Sequence, residues 1–259
     1  MDPLSEEPTP VRLTRAMLFV ASAAFAAAAL RFSWHKPLIA AALLGGIVGL
    51  IAVRWLSRRR LRSLLRSGDV HGVLERWSSA LGRIPHPGTM APLMTATAFA
   101  ANGWVHQARE AMAAAERGPA WEAALEHRLF LDTLLLAFEG DRDGALEQAD
   151  RLGRLPLPPA GDAIQGRVRM LRVAAAALAR AFARQSNPGD RQLLEQAGDS
   201  SPLVFWAMRY AAAVVAVDQG EHLRALALLA RAPRWPEEST FRAFHEEILR
   251  QIAAPAPIV

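Results

Sequence analysis

The stretch EGDRDGALEQADRLGRLP, residues 139 to 156, predicts a sharp turn followed by a helix that ends before a proline. Gly140 reaches a positive φ at little steric cost, so it allows the chain to reverse direction between two helices. Ala145, five positions later, allows the second helix to approach the first closely. Pro156 stops the second helix, because proline lacks the backbone N–H that a helix interior needs. The stretch is therefore typical of two antiparallel helices joined by a tight turn.

Similar segments begin at Ser67, Asn102 and Gln219. A segment that recurs along the chain is a stronger indication of the fold than any single motif. The four segments align on Gly68, Gly103, Gly140 and Gly220. Small or apolar residues then follow at three shared positions: Val73, Ala108, Ala145 and Ala225; Trp77, Met112, Ala149 and Leu229; Ala80, Ala115, Leu152 and Ala232. Successive intervals of five, four and three residues keep one face of a helix against its neighbour. Prolines follow the second helix at Pro85, Pro156 and Pro233.

The period resembles that of the tetratricopeptide repeat (TPR), a helix–turn–helix unit of ~34 residues. The first three glycines are 35 and 37 residues apart, and the fourth follows after 80, about two further periods. The resemblance covers residues 57 to 235 and implies a TPR-like α-solenoid of antiparallel helix pairs. The aromatic position of the first repeat helix is filled by Phe99, Leu136 and Ala216, of which only Phe99 fits well. Residues 187 to 198, NPGDRQLLEQAG, stand where a second helix is expected but lack the alanine, which indicates a degenerate repeat with longer loops.

Composition agrees with an all-α fold, since 52% of the 259 residues are hydrophobic, aromatics are few and alanine is abundant. Residues 236 to 259 are predicted to form a capping helix and a loose tail. Phe241, Phe244, Ile248 and Ile252 fall on one stripe of that helix, with charged residues opposite.

Before the repeats, residues 16 to 30 and 38 to 53 carry no charge. They predict a transmembrane hairpin over residues 16 to 56, after an N-terminal tail of residues 1 to 15, with spans at about 16 to 34 and 38 to 56. Trp34 and Trp55 suit headgroup-level positions at the span ends. Alternatively, the first run is a cleaved signal peptide with a weak site at AFA, residues 24 to 26.

Basic residues beside the spans predict the orientation. Eight lie on the side of the termini and two, Arg31 and Lys36, in the connector. The positive-inside rule therefore places the repeats in the cytoplasm, at the inner membrane of a bacterium. Arg58, Arg59, Arg60 and Arg62 would meet anionic headgroups, each worth about 1 kcal/mol. They cluster beside an apolar span and are not spread over a domain face, so nucleic acid is not an expected partner.

Two further features concern the second span. Gly45 and Gly49 form a small-xxx-small pair, which favours packing against the first span over a dimer seam and leaves the oligomeric state open. No proline or glycine interrupts residues 50 to 67. A continuous helix is therefore predicted from the span into the first repeat.

The sequence offers little for catalysis. There is no cysteine, and the seven histidines form no HExxH pair. No calcium loop, GxSxG or P-loop occurs. His71, His106 and His222 recur near the starts of second helices, where solvated residues are common, and Asp141 and Asp143 are explained by N-capping. We therefore expect no enzymatic activity, no metal and no cofactor.

The expected working surface is the groove lined by the first helix of each repeat. Its predicted partner-binding residues are Met90, Leu93, Phe130, Leu134, Tyr210 and Val214. This apolar groove suits the nonpolar face of a helix or an extended segment of a protein partner. The same positions could instead pack the solenoid core, with the C-terminal helix folded over them.

These features predict a membrane-anchored interaction module, an adaptor or assembly scaffold. Its layout of two spans followed by helical repeats is similar to that of HemY-like bacterial membrane proteins. The alternative is a small membrane subunit of a transport or secretion apparatus whose hairpin is the active part.

Overall fold

A computed structural model describes residues 37 to 253, with side-chain surroundings from residue 46 onward except at 58 and 61. The predicted N-terminal tail, the first span, the connector with Trp34 and the last six residues lie outside the described residues. Within them all regular structure is helical, and no strand is present. The predicted all-α class is confirmed for this part of the chain.

The described residues form eleven α-helices. Their bounds are α1 Pro37–Leu65, α2 Val70–Leu81, α3 Pro87–Ala100, α4 Val105–Glu116, α5 Leu125–Glu139, α6 Arg142–Arg154, α7 Asp162–Phe182, α8 Asp190–Ser200, α9 Phe205–Asp218, α10 His222–Leu229 and α11 Thr240–Ala253. Short 3-10 helices, Glu122–Ala124 and Pro202–Val204, precede α5 and α9.

The chain divides into two compact units, one ending at Arg60 and the other spanning Leu61–Val259. In the first unit, α1 presents Ile47, Val48, Leu50, Ile51 and Val53, each more than half exposed. The helix continues without a break to Leu65, which confirms the predicted continuity up to that residue.

Among the described residues, no single helix meets the length and apolarity expected of a membrane span. Asp190–Ser200 and Pro202–Asp218 meet it only together, as a pair bent by 120°. The apolar character of α9 has another explanation, because Trp206, Met208, Tyr210 and Val215 are all buried in the core of the second unit.

Turn chemistry explains the helix pairs of the second unit. Gly68, Gly103, Gly140 and Gly220 have φ values of 76°, 78°, 87° and 73°, and each lies between two helices, as predicted. Asp141 caps α6, its Oδ1 accepting from the Gly144 N–H at 3.0 Å, and Asp69 caps α2 in the same way at 2.9 Å. Neighbouring helices α3 and α4, α5 and α6, α7 and α8, and α9 and α10 pack together.

The irregular fourth pair has its own stabilising contact. Residues 187 to 198 supply the turn and most of α8, so a second helix does stand there as predicted. In the turn, Asp190 is buried and accepts two hydrogen bonds from Arg180, at 2.6 and 2.9 Å, and one from the Asn187 N–H at 2.8 Å. This turn also has a glycine with positive φ, Gly189 at 94°, and the ion pair of Arg180 with the buried Asp190 adds to it.

The turn before α2 contacts α9 of the last helix pair. The Arg66 guanidinium lies 4.2 Å from the ring centre of Phe205, and Trp206 Nε1 donates to the Arg66 carbonyl at 2.9 Å. Residues 230 to 239, called the strap below, join α10 to α11 and cross Gly68 and Gly103. Trp235 lies over Gly68, and the Thr240 N–H just after the strap donates to the Gly103 carbonyl at 2.9 Å. The array is therefore closed on itself.

The C-terminal helix α11 covers the array more broadly than an end cap would. Its predicted apolar stripe faces the core, with Phe241 and Ile248 buried. The Phe241 ring contacts Tyr210 of α9 and Phe138 of α5, with ring centres 4.6 and 5.3 Å apart. One helix thus joins the ends of several pairs.

Candidate functional site

A cavity of about 340 Å³, called the central cavity below, lies between α3, α5, α7 and the turn Pro202–Val204. It lies inside the second unit and is lined mainly by the first helices of three successive pairs. Its lining residues are Met94, Thr97, Glu126, His127, Phe130, Leu152, Val168, Leu171, Arg172, Ser201, Leu203 and Val204. Most of them are apolar, so the cavity suits a large apolar group.

Thr97 and His127 form a hydrogen-bonded pair on one wall. The Thr97 hydroxyl donates to the Leu93 carbonyl at 2.8 Å and lies 2.7 Å from His127 Nε2. Because that single hydroxyl proton is already used, His127 Nε2 is the donor and Nδ1 carries the lone pair. Burial lowers the pKa of His127, since the low-dielectric surroundings disfavour the imidazolium. The wall is therefore neutral near pH 7.

Arg172 and Glu126 form the second polar feature. Arg172 Nε donates to Glu126 Oε1 at 3.0 Å, while its other nitrogens donate to the carbonyls of Leu155 and Pro156 at 2.6 and 3.0 Å. The Arg172 side chain is only 6% exposed, whereas that of Glu126 is 40% exposed. Arg172 thus holds the loop after α6 onto α7, and Glu126 is the more solvent-exposed member of the pair.

A second cavity of about 460 Å³, the side cavity, adjoins the first along α3. Its lining residues are Leu81, Ile84, Pro85, His86, Met90, Met94, Ala120, Ala123 and Ala124. Met94 lines both cavities. The two form one apolar surface whose walls carry flexible methionines.

The structure divides the predicted groove residues into two groups. Phe130 and Met90 line the central and side cavities and are partly exposed. Leu93, Leu134, Tyr210 and Val214 are buried, so their assignment to an open groove needs correction. The reason is that α9 is covered by the strap and α11, and Trp235 Nε1 donates to the Tyr210 hydroxyl at 2.7 Å. Leu93 and Leu134 face neighbouring helices in the core.

The predicted membrane-interface residues lie on α1. Trp55 is exposed, and the Arg59 guanidinium lies 5.3 Å from its ring centre; Arg60 and Arg62 are exposed as well. The side chain of Arg58 and that of Trp34 lie outside the described residues. Gly45 and Gly49 both belong to α1, and a Cβ at Gly49 would meet no atom within 4 Å.

The histidines singled out in the sequence are scattered. His106 is exposed beside Glu110, with Nε2 to Oε1 at 3.3 Å, and His71 packs edge-on against Trp104 with ring centres 5.3 Å apart. Within residues covered by the structure, no group of three or more His, Asp or Glu side chains could hold a metal ion.

Sequence reasoning did not select Glu126, His127 or Arg172. The sequence did contain one indication of the role of Arg172. It directly precedes the alanine-rich segment VAAAALARAF of α7, and a charged residue next to a segment that is expected to be buried needs a partner. Glu126 and His127 are followed by Arg128, and three consecutive polar residues at the start of a helix are typical of a solvated first turn.

Acid is expected to destabilise the fold through two histidines. Burial lowers the pKa of both His127 and His245, so below about pH 6.5, the ordinary histidine value, the unfolded chain binds more protons than the folded one. The free energy of unfolding is then at its full value above that pH and falls as the pH is lowered. Thermal unfolding in mild detergent at pH 7.5 and 5.5 should show a drop in Tm that is smaller in His127→Gln and in His245→Gln. The exposed His106→Gln should match wild type, and an equal drop in all variants would contradict the assignment.

No protein-family model, curated protein or solved structure matches this chain.

Proposed function

We propose that this chain is a membrane-anchored adaptor, or assembly scaffold, at the cytoplasmic face of a bacterial inner membrane. Its TPR-like helical domain binds a protein partner at the central cavity. The observation that carries the proposal is the cavity itself, an apolar recess at the inner faces of α3, α5 and α7 with Phe130 in its wall. Interaction modules built from helix pairs use such inner faces to hold the apolar side of a partner segment.

Support for the TPR-like assignment comes from local geometry at the predicted period. The four glycine turns have positive φ, and the residue five positions later is buried in each case: Val73, Ala108, Ala145 and Ala225. At Ala108, Ala145 and Ala225 a small residue accompanies close packing of the second helix on the first, in the pairs α3/α4, α5/α6 and α9/α10. The strap, which closes the set of helix pairs, is an additional element beyond the TPR-like pairs.

Support for the anchor comes from α1. Its stretch from residue 38 to residue 56, the predicted second span, is roughly 28 Å long, close to the ~30 Å hydrocarbon core of a bilayer. Residues 38 to 53 of this helix carry no charge, and Ile47, Val48, Leu50, Ile51 and Val53 are each more than half exposed among the described residues. An exposed apolar stretch of this kind is stabilised when lipid covers it. Within the same helix, the exposed Arg59, Arg60 and Arg62 follow the apolar stretch, where they would meet anionic headgroups.

A binding role is favoured over catalysis by how the polar groups of the cavity are used. The Thr97 hydroxyl donates to a backbone carbonyl, and three nitrogens of Arg172 donate to structural acceptors. Both groups therefore shape the wall of the cavity.

The test is co-purification with Phe130→Asp. Cells carrying the wild-type or variant chain are crosslinked and solubilised in mild detergent, and retained proteins are identified. A carboxylate in the apolar wall disfavours an apolar partner, so we expect a cytoplasmic partner to be lost at least tenfold. Val173→Asp, on the exposed side of α7, is the matched control and should retain the partner.

The hairpin alternative gives the opposite pattern. If it holds, the Phe130→Asp variant keeps all its partners, which are membrane proteins, and Gly45→Leu with Gly49→Leu abolishes the complex.

A further inference from the structure

Met90 and Met94 lie one helical turn apart on the same face of α3. Met90 lines the side cavity, and Met94 lines both cavities. The two recesses therefore follow each other along the axis of α3 and meet at Met94.

The floor of the side cavity is made of small residues, Ala120, Ala123 and Ala124. Small side chains allow the backbone of a second helix to approach closely. This floor is fixed to α3, because the Ala120 N–H donates to Thr89 Oγ1 at 3.0 Å and a Cβ at Gly118 would collide with the same hydroxyl. A rigid floor lowers the entropy cost of binding, while the methionine walls adapt to different side chains.

The charged group offered at the central cavity is a carboxylate. Glu126 is 40% exposed, and its partner Arg172 is almost fully buried with its remaining donors bonded to backbone carbonyls. Outside the cavity, Glu122 is exposed, and Arg128 is stacked on Trp121 at 4.0 Å from the ring centre. A cationic side chain in the cavity would pair with Glu126 and complete its hydrogen bonding.

We propose that the partner segment is an amphipathic α-helix with two large apolar side chains one turn apart, one in each cavity, and a lysine or arginine beside Glu126. This inference rests on the proposed adaptor function and specifies the chemistry of its partner. An extended segment would instead present contacts two residues apart, and the crosslinking experiment distinguishes the two.

Because the chain has no cysteine, single attachment points can be introduced at the two cavities. The full chain carrying Met90→Cys or Met94→Cys is labelled with benzophenone maleimide, placed in lipid nanodiscs and illuminated in bacterial extract. Crosslinked residues are then mapped by mass spectrometry. We expect both labels to reach the same protein, at residues three or four apart, with a lysine or arginine within one turn. Leu223→Cys, 84% exposed on α10, is the control and should not reach that segment.

Crosslinks two residues apart, crosslinks to different proteins, or no crosslinks from either cavity would overturn the inference. A second measurement tests the charge: the mapped segment, made as a peptide, should bind Glu126→Gln about tenfold more weakly than wild type. Equal affinity would overturn the proposed ion pair.

The two proposals fail separately. If Phe130→Asp loses its partner while the crosslinks lack helical spacing, only the amphipathic helix is wrong. If Phe130→Asp retains every partner, the adaptor function fails as well.

Discussion

Replacing Phe241 by alanine is expected to lower the free energy of unfolding by about 3–5 kcal/mol, a large part of the ~5–15 kcal/mol that stabilises a typical domain. Phe241 is fully buried and touches four aromatic side chains, with ring centres 4.6 Å away at Tyr210, 5.2 Å at Trp235, 5.3 Å at Phe138 and 6.2 Å at Phe244. Its loss would leave a cavity where α5, α9, α11 and the strap meet. Urea unfolding of the full chain in mild detergent, followed by circular dichroism, measures the effect.

Leu249→Ala is the matched control, because Leu249 lies on the same helix and is exposed. It is expected to cost about 0.5 kcal/mol or less. Similar losses in both variants would contradict the packing of α11 over the array, since they would place the two side chains in equivalent surroundings.

The second large effect is expected from Gly103→Ala. Gly103 has a φ of 78°, and an added Cβ would lie 2.7 Å from Ser239 Oγ and 2.9 Å from the Phe241 ring. The strap is held there by a hydrogen bond from Ser239 Oγ to the Asn102 carbonyl at 2.8 Å. The substitution therefore adds about 1–2 kcal/mol of left-handed backbone strain to about 1–3 kcal/mol of overpacking.

Gly140→Ala separates these two contributions. Gly140 has nearly the same conformation, with a φ of 87°, but a Cβ there would meet no atom within 4 Å. The free energy of unfolding of Gly140→Ala should fall only by the contribution of backbone strain, about 1–2 kcal/mol. The difference between the two variants, measured by urea unfolding, reports the contact with the strap. Equal losses would show that the strap does not press on Gly103.

The helix turns could be predicted because their signals are local. Gly103 and Gly140 supply the positive φ at the turns, and Asp141 caps the next helix through a backbone N–H three residues away. Each of these effects acts within a few residues, so the neighbouring residues are sufficient to predict the turn and the cap.

The candidate site was predicted only in part. Phe130 and Met90 fall in the right register of first helices, and the cavities do lie there. Tyr210 and Val214 share that register but face the core, because a second layer, the strap and α11, covers α9. A helical face that packs a core and one that lines a groove have the same apolar pattern.

The helical class of the described residues, the turns and the buried positions after the turns could be predicted from the sequence, because they depend on conformational preferences and spacings within a few residues. The closure through contacts such as Arg66 with Phe205 and Thr240 with Gly103 could not be predicted in this way. The same holds for the meeting of Arg172, Glu126, Thr97 and His127 around one cavity. These contacts join residues far apart in the sequence, so they depend on the path of all the helices between them, which no local spacing encodes.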